Sequence, residues 1–342
     1  MTEDDVSGSA PRAGVLLPPR NVLPAVAGEV AAVLSAYVEE NGDDDAVELV
    51  FAAPEGTAAE RTQTARELVD KENLLALVAS FTDGADAELA ALAEEKELPL
   101  LATLSSSPRS SVAPNHWVRD LCGGVVEQSA ALVRCVETGS IALLHTDSAT
   151  ASAIARRASG VSPVEALTAT AAKLRELAFA AVLFAGADAA MLRLLQEMTA
   201  IEWWPPLLFA GATIPPSFFD RIRPAGGVWI AFPTTARDQS PATLSAYLEL
   251  VHRYQIPTEH RVSQFAALTS LALFLDAVRR CDGDVTRQSL LRAVDDTRGF
   301  HSGLFPPLTY GADRHVGSTG AWVLAAHRGR AGSAVWVETG DA

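Results

Sequence analysis

The chain has 342 residues, 49% of them hydrophobic, and carries 27 basic against 42 acidic residues for a net charge of −15. That length exceeds what one hydrophobic core usually fills, so two lobes of roughly 100–200 residues each are expected. The acidic balance, with no Lys/Arg run longer than a dipeptide, repels phosphate backbones and anionic lipid and argues against nucleic acid or a membrane surface as partner.

Apolar runs of strand length alternate with helix-period stretches from the start. Strands are expected over residues 13–17, 47–53, 74–79 and 98–103, with helices over 25–40, 58–71 and 85–96 between them. The continuous Val/Leu/Ala runs lack the alternation of a one-sided strand and read as strands buried on both faces of a parallel sheet. After Arg119 the pattern restarts, with strands over 140–145, 179–185, 206–210 and 227–232 and helices over 127–138, 148–158 and 189–201. The fold class is therefore α/β, with two doubly wound parallel-sheet lobes and no short-period sequence repeat. A long helix follows over 262–280, in which Phe265, Leu268, Leu271, Ala272, Leu275 and Val278 form one apolar stripe suited to core packing. A second helix over 286–297 leads to the C-terminal segment.

Motifs for chemistry are sparse. A Gly-x-Ser-x-Gly elbow, a Gly-x-Gly-x-x-Gly fingerprint and a phosphate-binding Gly-x-x-x-x-Gly-Lys loop are missing, so neither an enzyme nor a cofactor is expected. The seven histidines are scattered, and a metal site would need long-range convergence; none is expected. Cys122, Cys135 and Cys281 lack Cys-x-x-Cys spacing and read as three buried thiols. The tandem Trp203-Trp204 reads as a helix end packed on the next strand. No run reaches the ~18 consecutive apolar residues that span a bilayer, and Met1 to Ala10 is acidic and polar where a secretory signal is basic and then apolar. The expected location is cytoplasmic if Met1 is the native start, or extracytoplasmic if a signal precedes this sequence and is removed; no direct membrane insertion is expected.

In open α/β sheets ligands lie beyond the carboxyl ends of the strands, where helix N-termini hold anions and polar groups. In the first lobe those ends are Pro18-Pro19-Arg20, Ser80-Phe81-Thr82-Asp83 and Thr103-Leu104-Ser105-Ser106-Ser107; in the second they are His145-Thr146-Asp147, Ala187-Asp188 and Ala212-Thr213. The hydroxyls of Ser105 and Ser106 beside a helix start suit a carboxylate, and Arg20 could pair one. His145, Thr146 and Asp147 point in different directions from a strand end, which suits ligand contact better than catalysis.

Two segments carry a resemblance. Gly303-Leu-Phe-Pro-Pro-Leu-Thr-Tyr-Gly-Ala-Asp-Arg-His-Val-Gly317 is similar to the C-terminal signature of the branched-chain amino acid binding proteins, where a Gly-Pro-Leu-Thr-Phe-like strand precedes an Asp-Arg-His turn. Leu98-Pro-Leu-Leu-Ala-Thr-Leu-Ser-Ser-Ser-Pro108 resembles that family's Val-Pro-Leu-Ile-Ser-Pro-x-Ala-Thr-x-Pro loop, which binds the ligand carboxylate. The resemblance implies the type I periplasmic binding protein fold, with lobe one at 12–118 plus 262–317, lobe two at 119–261 plus 318–338, a disordered tail at 1–11, and a three-segment hinge near 117–121, 255–263 and 316–320.

It further implies a receptor that closes on a small polar ligand for ABC-type uptake, with a membrane permease as partner. The alternative is a cytoplasmic ligand-sensing regulator of the amide-sensor type, acting through a regulatory protein. On this match Leu104 offers main-chain groups, Ser106 its hydroxyl, and residues 80–83 form the second carboxylate-binding loop. The chain departs from the family where amino-acid binders place an acidic residue for the ligand's ammonium: Phe209-Ala-Gly-Ala-Thr213 has Ala212 there, and Ala185-Gly-Ala-Asp188 lacks the usual aromatic residue. A buried ammonium without a carboxylate costs several kcal/mol, so the expected ligand is an amino acid derivative, an amide or a small organic acid unless Asp83, Asp147 or Asp188 supplies the charge.

Overall fold

The computed structural model describes residues 10–18, 24–41, 47–53, 56–82, 85–104, 115–136, 139–146, 148–185, 188–210, 226–281, 285–327 and 330–339. The chain divides into two compact units. The first comprises Met1–Ser105, Ser111–Cys122 and Ala236–Ser318, the second Ser106–Ser110, Gly123–Thr235 and Thr319–Ala342. Its elements are, in order, β1 (Arg12–Leu16), α1 (Pro24–Asn41), β2 (Glu48–Ala52), α2 (Ala58–Lys71), β3 (Ala76–Val78), α3 (Asp86–Glu95), β4 (Leu100–Thr103) and β5 (Val118–Cys122) in unit 1. Unit 2 continues with α4 (Gly124–Cys135), β6 (Ile141–His145), α5 (Ser148–Arg157), β7 (Val161–Glu165), α6 (Ala171–Glu176), β8 (Ala181–Ala185), α7 (Asp188–Ala200), β9 (Leu207–Ala210) and β10 (Val228–Phe232). The chain then returns to unit 1 for α8 (Pro241–Arg253), α9 (Arg261–Arg279), α10 (Arg287–Asp295) and β11 (Val316–Ser318), and ends in unit 2 with β12 (Gly320–His327), β13 (Arg330–Ala331) and β14 (Val335–Glu338).

The sheet of unit 1 is parallel throughout, in the order β11-β5-β4-β3-β1-β2. Its inner strands are apolar on both faces because helices cover both. Gly14 in β1 is needed for that packing: a Cβ there would lie 2.6 Å from Leu77 Cδ2 and 2.8 Å from Leu74 Cδ1. Helix α2 starts at a capping box in which Thr57 and Glu60 exchange hydrogen bonds, and the main-chain N–H of Thr57 holds the Glu60 carboxyl below its usual range. Helix α9 has the length and composition to cross a membrane, but 67% of its apolar window is buried, and residues from Phe265 to Ala277 join the core of unit 1. It is a core helix, buried on more sides than its predicted stripe.

Strand β5 was hidden in the sequence by Arg119 and Asp120. Arg119 is buried because Asp295 at the end of α10 takes its guanidinium bidentately, Nε to Oδ1 at 2.6 Å and Nη2 to Oδ2 at 2.8 Å. Its Nη1 donates to the carbonyls of His116 and Val118 and faces His315 Nδ1 at 3.3 Å. Burial, reinforced by Arg119, pushes the His315 imidazole down.

In unit 2 the order is β13-β12-β10-β9-β8-β6-β7, with β14 on β12. Strands β6 to β10 are parallel, while β12 runs antiparallel to β10, β13 and β14. Leaving out the C-terminal additions, β2-β1-β3-β4-β5 and β7-β6-β8-β9-β10 are the same strand order, so the duplication read from the alternating pattern is a duplication of topology. The edge strand β7, Val-Ser-Pro-Val-Glu, escaped the sequence reading because it is mostly solvated and accepts a proline that an inner strand would refuse. Trp203 and Trp204 pack partly buried against the core that includes α7 and β9.

Three features differ from expectation. The segment 236–261, assigned to the second lobe from the resemblance, groups with unit 1, because Tyr247, Leu250 and Val251 of α8 and Ile256 after it enter that core. The strand expected within residues 303–317 is limited to the isolated bridges Phe300–Leu308 and Gly311–Arg314 ahead of β11. No disulfide joins Cys122, Cys135 and Cys281, and all three are half-buried where full burial was expected.

Candidate functional site

Among the parallel strands of each sheet there is a switch point, where the chain direction across the sheet reverses and ligands lie in open α/β folds: between β1 and β3 in unit 1, and between β6 and β8 in unit 2. At the first, the main chain just beyond β3 is bound to both neighbours. Phe81 N–H donates to Leu16 O at 2.9 Å, Leu104 N–H donates to Ser80 O at 2.9 Å, and Phe81 and Leu104 form a parallel bridge. Ser80, Phe81, Thr82 and Leu104 are thus brought together as the sequence suggested. The two hydroxyls, however, are engaged internally: Ser80 Oγ accepts from Leu16 N and donates to Val78 O, both at 3.1 Å, and Thr82 Oγ1 donates to Asp86 Oδ1 at 2.6 Å. Both residues are buried, so among the described residues this end of the sheet presents main-chain groups and the half-buried Leu104.

Two backbone kinks create that arrangement. Ala79 and Ala102 have φ of 47° and 46°, the left-handed region that a Cβ disfavours by about 1–2 kcal/mol. The other described non-glycine residues with positive φ, Glu97, Ala178, Glu202 and Gln255, all follow helix C-termini, where that conformation is common. Only Ala79 and Ala102 sit at strand ends, one beside the other in neighbouring strands, and the register of β4 on β5 shifts across Ala102. A single buried serine secures both: Ser270 Oγ of α9 accepts from Ala79 N at 2.8 Å and donates to Leu101 O at 3.3 Å. From the other side Arg61, 7% exposed, donates Nη2 to Phe81 O at 3.2 Å. Thr103 Oγ1 donates to Asp120 Oδ1 of β5.

At the switch point of unit 2, His145 and Ala185 end β6 and β8 in register. His145 continues the row Ile141–Leu143 on the face that packs α4 and α5. Its ring is half-buried, and Nδ1 is buried without a hydrogen-bond partner among the described residues. Thr146, next along, is exposed. Arg20, Asp83, Ser105, Ser106, Asp147 and Ala212 lie outside the described residues; Asp188 opens α7, its side chain outside the description.

A family profile described as periplasmic binding protein matches residues 23–331. The chain belongs to the periplasmic binding protein family. No curated protein matches this member. Its fold is similar to that of solved structures, among them a branched-chain amino acid ABC transporter protein from Thermus thermophilus with bound valine (TM-score 0.72, 17% identity, covering 97% of this chain and 96% of that one). Another is the LivJ substrate-binding protein of Streptococcus pneumoniae in complex with isoleucine (0.70, 14%, covering 96% and 100%). A third is a fatty acid ABC transporter substrate-binding protein from Thermomonospora curvata (0.70, 14%, covering 98% and 92%).

Sequence reasoning found this binding protein's strand ends but missed Ser270, which holds them from a helix 191 residues further along the chain, and the nearer Arg61 and Asp86. Ser270 and Arg61 are polar residues on buried helix faces, a signal that sequence carries only as a break in the apolar pattern. Ser270→Ala is expected to lower unfolding stability by about 1–3 kcal/mol, since it orphans the Ala79 N–H, whereas Ala79→Gly is expected to be neutral or stabilising. Urea unfolding of both variants checks this, and a neutral Ser270→Ala would show that the kinks hold without the serine.

Proposed function

We propose that this periplasmic binding protein is a solute receptor that anchors a small polar ligand on main-chain groups beyond β3 and β4 and passes it to an ABC-type membrane permease outside the cytoplasm. Binding, with no bond made or broken, is the role. The observation that carries the reading is the pair of left-handed alanines at adjacent strand ends of unit 1, a strained conformation kept where a fold presents its main chain to a ligand. The ligand class proposed is an amino acid derivative, an amide or a small organic acid, because Ala212 stands where amino-acid binders carry an acidic residue.

The test is a thermal-shift screen against amino acids, their amides, aliphatic and aromatic carboxylates, fatty acids and short peptides. A ligand at 100 times its Kd adds about 2.7 kcal/mol. An upward shift confined to one neutral or anionic class, weakened tenfold or more by Ser106→Ala, supports the proposal. A shift with free α-amino acids alone overturns the ligand class, and no shift with any compound overturns the receptor reading.

A further inference from the structure

Apart from the groups at the strand ends, the chain brings three metal-ligating side chains together. Glu29, in the second turn of the largely apolar α1, is a carboxylate only 4% exposed. Its Oε1 lies 2.9 Å from His260 Nδ1, at the residue that caps α9, and the exposed Glu259 is next in sequence. One donor atom from each of the three lies within 4.8 Å of the other two. The other side of the Glu29 carboxylate is fixed by a buried shell: Oε2 accepts from Gln264 Nε2 at 2.6 Å and from His260 N at 3.2 Å. Gln264 Nε2 also reaches Pro257 O at 2.7 Å, and its Oε1 accepts from Tyr247 OH at 2.8 Å. Outer hydrogen bonds of this kind orient a metal-ligating carboxylate, holding one oxygen from behind and leaving the other to face a ligand. The His260 side chain is 36% exposed, so the front of the group is open to solvent.

We propose that Glu29, Glu259 and His260 form a binding site for a divalent cation of the zinc class. Three protein donors, one of them an imidazole nitrogen, suit zinc, whereas calcium and magnesium prefer oxygen alone. Zinc bonds of about 2.0–2.2 Å at a tetrahedral angle put two donors about 3.3 Å apart, so Glu29 Oε1 and His260 Nδ1 need open only a few tenths of an ångström. The cation takes the place of the proton between them, which leaves for solvent, and water completes the four ligands. Bound there, it ties α1 to the start of α9 within unit 1.

The experiment is a titration of the tag-free, chelator-stripped full chain with zinc chloride by calorimetry, repeated with cobalt(II) to read the visible absorption of a tetrahedral site. One equivalent bound saturably, a rise of several degrees in Tm, and at least tenfold weaker binding in both Glu259→Gln and His260→Gln are expected. Glu259 is exposed, so that variant keeps the fold and tests the site alone. Absent saturable binding, or binding unchanged in Glu259→Gln, overturns the proposal and leaves an ordinary hydrogen bond between Glu29 and His260.

Discussion

Asp295→Ala is expected to destabilise unit 1 by about 3–5 kcal/mol, the loss associated with removing one partner of a buried ion pair. The substitution leaves the Arg119 guanidinium, with a side chain 1% exposed, facing only the carbonyls of His116 and Val118 and the neutral side of His315. Coulomb attraction does not make the intact pair strongly stabilising, because both charges left water to form it; the large effect comes from stranding one of them. The double variant Arg119→Met with Asp295→Leu should therefore recover most of the loss, since two apolar side chains of similar volume need no counter-charge. Urea unfolding of the two single variants and the double variant measures the cycle. An Asp295→Ala value within about 1 kcal/mol of wild type would mean that water reaches Arg119 and that the pair is not buried in solution.

How much of this was legible in the sequence depended on whether an element declares itself by composition. The inner strands β1, β3, β6, β8 and β9 and the long helices did, because burial on both faces requires uninterrupted Val, Leu, Ala and Phe, and the bounds of helix α2 were read to the residue, though not its Thr57 cap. Strand β5 did not, since its central Arg119 and Asp120 are polar residues whose partners, Asp295, Thr103 and Tyr310, come from elsewhere in the chain. Helix α8 went unread for a related reason: only one side of it is apolar, and Tyr247, Leu250 and Val251 join a core shared between the first hundred residues and the helices that follow α8. The strand ends themselves were legible because topology fixes where they lie. What holds them was not, because Ser270 and Arg61 act on main-chain groups, and a hydrogen bond to a backbone atom leaves no sequence-specific mark on its acceptor.

In unit 2, Phe209→Ala is expected to cost about 3–5 kcal/mol of stability. Phe209 in β9 is fully buried and lies in register with Phe184 of β8, the two rings stacked with centroids 5.0 Å apart and planes 8° from parallel. Truncation removes a ring from a place where hydrogen-bonded strands on both sides prevent collapse, so the cavity term adds to the lost burial. Phe209→Leu keeps most of the volume and should cost less than half as much. Combining it with Phe184→Leu isolates the ring-to-ring contact, expected at about 0.5–1.5 kcal/mol beyond burial. The consequence reaches the unit 2 strand ends, because Ala185 and Ala210, the last residues of β8 and β9, follow the two rings directly. Amide exchange should accelerate at those strand ends in Phe209→Ala before it does in β12. Uniform acceleration across the sheet, or none, would show that the stacked pair does not set the position of the unit 2 strand ends.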